Sequence, residues 1–171
     1  MSTGDDTTAD AGHPPVGRRR ETATLSVIPP AVPREAVEST GRVGAVAYPY
    51  RVYDAAVSID RAFMSPRRTR FVASVDRSRR LVVRADTFPE VEERTVEDVL
   101  VLPSELSAEV CLERAEKSVF QWTLRKFSTN DAPDIEMERT ADVYKLFWLA
   151  RRPEGDVIVD SVRGSESPLV E

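Results

Sequence analysis

The stretch SELSAEVCLERAEKSVFQWTLRKFSTNDAPDIEMERTADVYKLFWLARRPEGDVIVDSVR, residues 104–163, decides how this chain folds. In its first half, Ala108, Cys111, Leu112, Ala115, Val119, Trp122 and Lys126 follow three- and four-residue steps, and Phe120, Leu124 and Phe127 widen the stripe. Glu109, Glu113, Glu116 and Lys117 mark the opposite, wet side, which is the pattern of an amphipathic helix lying across a sheet. Ser104 or Ser107 supplies the N-cap, Glu105 and Glu109 suit the positive end of the helix dipole, and Arg125 and Lys126 suit the negative end. The polar run from Ser128 to Pro133 stops the helix. Beyond it, Ile135 to Arg139 and Asp142 to Arg151 read as extended segments. Val143, Lys145, Phe147 and Leu149 alternate with Tyr144, Leu146 and Trp148, so bulk on both faces predicts a central, covered strand. Arg152-Pro-Glu-Gly155 is a turn, and Asp156 to Val162 returns as the last strand before a polar exit from Gly164 to Glu171.

Working upstream, alternation predicts a strand from Tyr50 to Ile59, introduced by the aromatic pair of Tyr48-Pro49-Tyr50. Ser65-Pro66 lies in a loop, after which Thr69 to Val75 and Arg80 to Asp86 form a hairpin across Asp76-Arg-Ser-Arg79. Thr87-Phe-Pro-Glu90 ends it, and Val99 to Leu102 adds a short strand. From Met1 to Val43 there are few apolar residues, no aromatics and repeated prolines, so this segment cannot bury enough surface to offset its ordering entropy. The expected organisation is a disordered tail over residues 1–43 and a single α+β domain over residues 44–169. In that domain a mostly antiparallel sheet of about five strands packs against one long helix.

Composition narrows the function classes. The net charge of −5 argues against a surface that coats nucleic acid throughout. Charge is nevertheless segregated: Arg67, Arg68, Arg70, Arg77, Arg79, Arg80 and Arg84 face a single acid, Asp76, in the hairpin, and residues 86–116 reverse the balance. Only Lys117, Lys126 and Lys145 are lysines; with the acidic excess, this arginine-rich usage resembles haloarchaeal composition. One cysteine, Cys111, rules out an intramolecular disulfide or a multi-thiolate metal site, and its place on the apolar stripe predicts a structural thiol. The run after Arg18-Arg-Arg20 is short and broken by Pro29, Pro30 and Pro33, so an export signal is not expected. No apolar run approaches the roughly 20 residues that span a bilayer. A reducing, cytoplasmic setting without membrane attachment is therefore the expectation.

The order helix, strand, aromatic strand, turn and Val157-Ile-Val-Asp160-Ser-Val-Arg-Gly164 is similar to PepSY-type modules, whose last strand commonly ends in Val-Asp, two residues and Gly. The resemblance covers residues 104–164 and implies an inhibitory or interaction module with a helix packed on a sheet; it implies no catalytic residue.

Few residues suit catalysis. The one histidine, His13, lies in the tail, away from any triad or multi-histidine metal arrangement, and Gly41 and Gly44 do not form a phosphate loop. No cofactor or metal is expected. The sequence points to a non-catalytic protein-interaction or regulatory module with an unknown protein partner. An alternative is nucleic-acid binding, in which the arginine hairpin 67–84 grips phosphates while Tyr48, Tyr50 or Phe71 stack on bases. The candidate binding residues are Tyr48, Tyr50, Arg67, Arg68, Arg70, Arg77, Arg79, Arg80 and Arg84. A carboxylate-only enzyme using Glu92-Glu93 or Glu97-Asp98 is the third reading.

Overall fold

In a computed structural model, residues 17–128 and 131–169 are described. The elements in order are β1 (Arg18–Val27), a single 3₁₀ turn (Arg34–Ala36), β2 (Gly44–Arg61), β3 (Met64–Asp76), β4 (Leu81–Ala85), β5 (Glu92–Val101), α1 (Ala108–Lys126), β6 (Asp134–Ala150), β7 (Val157–Asp160) and β8 (Glu166–Pro168). The strands form one mixed sheet in the order β4-β3-β2-β5-β1-β6-β7-β8, and β2 also pairs with β6.

The hub is β2, whose 18 residues serve three neighbours. On one side it runs antiparallel to β6 from Gly44 to Ser58. On the other it pairs parallel with β5 over Ala45–Ala47 and then antiparallel with β3 from Tyr50 onward. Pro49 sits at the change of neighbour, where a residue without an N–H removes no ladder bond, and its carbonyl accepts from Arg77 N–H at 2.9 Å. Because β1 pairs antiparallel with β5 and meets β6 at Val27, the strands β2, β5, β1 and β6 close a ring. Val27, Ala45, Ala47, Val99, Leu146 and Trp148 pack as one cluster contributed by all four of them.

Farther along β2 the sheet has two distinct faces. Tyr53, Ala55, Val57 and Ile59 join Phe71, Ala73 and Val75 beneath α1, which inserts Cys111, Ala115 and Val119. Each large aliphatic side chain removed from water here stabilises the fold by roughly 1.5–3 kcal/mol. Ser107 caps the helix by accepting from Val110 N–H at 3.3 Å. Tyr50, Val52, Val72 and Val143 form a smaller cluster on the opposite face.

The expected five-strand α+β layer is corrected to a mostly sheet architecture with eight strands and one 19-residue helix among the described residues. Several causes are visible. Within the expected tail of residues 1–43, Ala23, Leu25 and Val27 alternate with threonine and serine, and Arg18–Val27 pairs with β5 at every residue but Glu21. Residues 1–16 of that tail lie outside the described residues. The acidic run Glu92 to Asp98, for which the sequence offered no strand, belongs to β5 because Val96 and Val99 reach the core. The two extended segments at 135–139 and 142–151 are one strand with a register shift opposite Asp54 and Ala55. Residues 166–168, expected as a loose exit, pair with β7. The apolar stripe of α1 is also narrower than its spacing suggests: Leu112, Phe120 and Leu124 are exposed.

A candidate binding groove between two aspartate turns

The sheet face opposite α1 carries an open groove of about 880 Å³. Tyr50, Val52 and Phe147 contribute to its floor, Phe88 and neighbours in the β4–β5 connection form one wall, and the β7–β8 hairpin forms the other. Tyr48 packs edge-on to Phe147 with ring centroids 4.8 Å apart.

Each end of the groove is fixed by a turn built on an aspartate at the end of a strand. At the β3–β4 turn, Asp76 Oδ1 accepts from the backbone N–H groups of Ser78 and Arg79 at 3.0 and 2.9 Å. Its Oδ2 accepts from Arg79 Nε at 2.6 Å, and Arg79 Nη2 donates to the Tyr50 hydroxyl at 3.0 Å. The same guanidinium lies 4.5 Å from the centre of the Tyr48 ring, a cation–π contact. At the β7–β8 turn, Asp160 Oδ1 accepts from Val162 and Arg163 N–H at 2.9 and 3.0 Å, and its Oδ2 pairs with Lys145 Nζ at 2.8 Å. Four residues after each aspartate the backbone turns left-handed, at Arg80 (φ 61°) and at Gly164 (φ 75°).

Each turn also clasps a crossing segment. Arg77 O accepts from Glu105 N–H at 2.9 Å, and the Arg77 guanidinium donates to Leu106 O at 2.7 and 3.0 Å, which fixes the approach to α1. Ser161 O accepts from Ala31 and Val32 N–H, both at 2.8 Å, which fixes the segment between β1 and β2.

Burial and neighbouring charge set the protonation of these groups. Burial pushes the Tyr50 hydroxyl up to about 12; the nearby Asp76 carboxylate adds to the shift and Arg79 opposes it. Burial alone would raise the Asp160 carboxyl, but the Lys145 ammonium and the two backbone N–H groups together outweigh it and hold the group below the usual carboxylate range. Tyr50 therefore stays protonated and Asp160 ionised around neutral pH. On the other face, burial raises the Cys111 thiol, which is fully enclosed beneath the helix. Among the described residues no three His, Cys, Asp or Glu side chains cluster as metal ligands, and no helix is long and apolar enough to cross a membrane.

The nine residues singled out from the sequence do not form one surface. Tyr48, Tyr50 and Arg79 meet at one end of the groove. Arg67 lies over the Phe127 ring at 4.6 Å and Arg84 over Phe71 at 4.9 Å, and Arg84 also lines the rim of the groove. Arg77 turns toward Leu106 and lies 3.6 Å from Asp142. Arg80 Nη2 is 4.0 Å from Glu105, and its carbonyl accepts from Arg114. Arg70 pairs with Asp54 and Glu138, and Arg68 lines a shallow depression beside Asp134 and Glu136. Lys145, Phe147, Phe88 and Asp160 complete the groove and were not singled out. The sequence carries only part of the signal, an aspartate closing an apolar run in Val75-Asp76 and Val159-Asp160; the shared left-handed position four residues on is visible in the structure alone. No protein family, curated protein or solved structure matches this chain.

Proposed function

We propose that this chain is a non-catalytic interaction module that seats an extended segment of a partner protein in the groove opposite α1. The observation that carries the reading is the groove itself, a concave sheet face with an apolar floor whose cations Arg79 and Lys145 are pinned by Asp76 and Asp160. Its size is in the range of specific recognition sites, and Tyr50 stays protonated and Asp160 ionised near neutrality, which suits recognition better than proton transfer. The resemblance of residues 104–164 to PepSY-type modules points the same way. A phosphate-gripping surface would need free cations gathered on one face, whereas Arg67 and Arg77 turn to the helix side and Arg79 and Lys145 in the groove are already engaged by acids.

Ser74, a half-buried groove residue, permits a direct test. Proteins captured from a lysate of the source organism by the wild-type chain, by Ser74→Trp and by Leu112→Ala on the exposed helix surface are compared quantitatively. A partner lost with Ser74→Trp and kept with Leu112→Ala supports the groove. Equal capture by all three, or no specific capture, refutes it.

A further inference from the structure

The geometry points to self-association of this chain through β4, with the β4 strands of two copies pairing antiparallel about a two-fold axis at Val83. Among the described residues the sheet has two free edges, β4 and β8, and they are protected differently. β8 is three residues long, ends in Pro168 and carries Glu166, which is paired with Arg152 at 2.7 Å. Such features discourage strand addition. β4 has no proline and no lysine, and its only strand partner among the described residues is β3. Leu81 and Val83 remain 51% and 47% exposed, and their pairing with Asp76 and Ser74 places both on the groove side.

The sequence around β4 selects one register. Opposed residues in an antiparallel pair share a face, so a two-fold axis at Val83 places Leu81 against Ala85 of the second copy and brings Arg80, which just precedes the strand, near its Asp86, which just follows it, twice over. Moving the axis to Val82 sets Arg80 against Arg84, and moving it to Arg84 opposes two arginines. A half-step shift puts Leu81 opposite Arg84. The Val83 register opposes Leu81 to Ala85 on the groove side and brings Arg80 to Asp86, with Val82 facing Arg84 on the helix side. Arg80 and Asp86 are exposed, and Asp86 forms no ion pair with another described residue. In this arrangement both helices lie on one side of the combined sheet, and the two grooves open together on the other.

Each copy contributes a single five-residue strand, far less than the roughly 800 Å² per partner of a standard stable interface. The dimer is therefore expected to be weak and concentration-dependent. Sedimentation velocity of the full chain across the micromolar range, with circular dichroism to verify folding, tests it. The expected result is a mass that rises toward twice the monomer, with association weakened at least about tenfold by Val83→Lys, equivalent to roughly 1.4 kcal/mol. Arg80→Asp and Asp86→Arg should each weaken association, and combining them should restore it. A monomer at every concentration, a Val83→Lys protein that associates like wild type, or a double exchange no better than the single ones would overturn the proposal.

Discussion

The turns at Asp76 and Asp160 follow one plan and differ in where the cation comes from. Arg79 lies three residues beyond Asp76 within the same turn, whereas Lys145 reaches Asp160 from the adjoining strand β6. Exposure differs as well. The Asp76 side chain is 1% exposed beside a half-exposed Arg79, while Lys145 and Asp160 are both largely enclosed, at 18% and 11%. A local ion pair fixes the shape of a turn; a pair drawn from two strands also fixes where the turn sits. The energetic weak point should accordingly change partner between the two sites, because the costly event is leaving an enclosed charge without its counter-charge.

The largest effect is expected from Asp160→Ala, which strands the enclosed Lys145 ammonium and removes the acceptor for two N–H groups. A loss of about 4 kcal/mol in urea unfolding is the expectation, against about 2 kcal/mol for Asp76→Ala, where the freed Arg79 reaches water. The order should reverse when the cation is removed: Arg79→Met leaves the buried Asp76 carboxylate uncompensated, at about 3 kcal/mol, and Lys145→Met should cost less. If both acid removals or both cation removals cost the same, exposure does not distinguish the turns.

Acid titration sharpens the contrast at one site. The folded-state pKa of Asp160 lies below its unfolded value of about 3.9. Its contribution is complete above that unfolded value and is lost as pH falls through the folded one, since the unfolded chain binds the proton first. Stability measured against pH should fall below about pH 4, and Asp160→Asn should flatten that fall. A variant with an unchanged acid slope would show that the carboxylate's charge is not what anchors the turn.

The smallest effects concern the left-handed position. Gly164→Ala should cost about 1–2 kcal/mol, because a side chain is disfavoured at φ 75° and its Cβ would lie 3.4 Å from Val32. The matching change in the other turn, Arg80→Gly, relieves backbone strain and should raise the thermal midpoint, with a gain of up to about 1 kcal/mol.

These turns also show what was legible in the chain. Asp76-Arg-Ser-Arg79 reads as a turn from composition alone, and the helix reads from its cap and stripe. Strand identity failed where polar residues outnumber apolar ones but alternate with them, as in Thr22 to Val27 and Glu92 to Val101. Such strands are recognisable only once partners cover their apolar faces, and those partners are distant in sequence. The groove was half legible. Tyr48, Tyr50 and Arg79 were identifiable as an aromatic and cationic set, but Lys145 and Asp160 are ordinary charges until β6 and β7 are laid side by side. Arginines adjacent in sequence fall on opposite faces because the strand period is two, which is why a basic hairpin did not become a basic surface.

The long shared strand β2 has a consequence during synthesis. One of its sides finds β3 almost at once, whereas the other waits for β6, which begins only at Asp134. At roughly 5–20 residues per second the delay lasts seconds, and distant pairings of this kind favour slow folding. Through that interval the nascent chain presents an unpaired strand rich in valine and alanine. The segment that organises the finished sheet is thus the one most in need of a chaperone while the ribosome completes the rest.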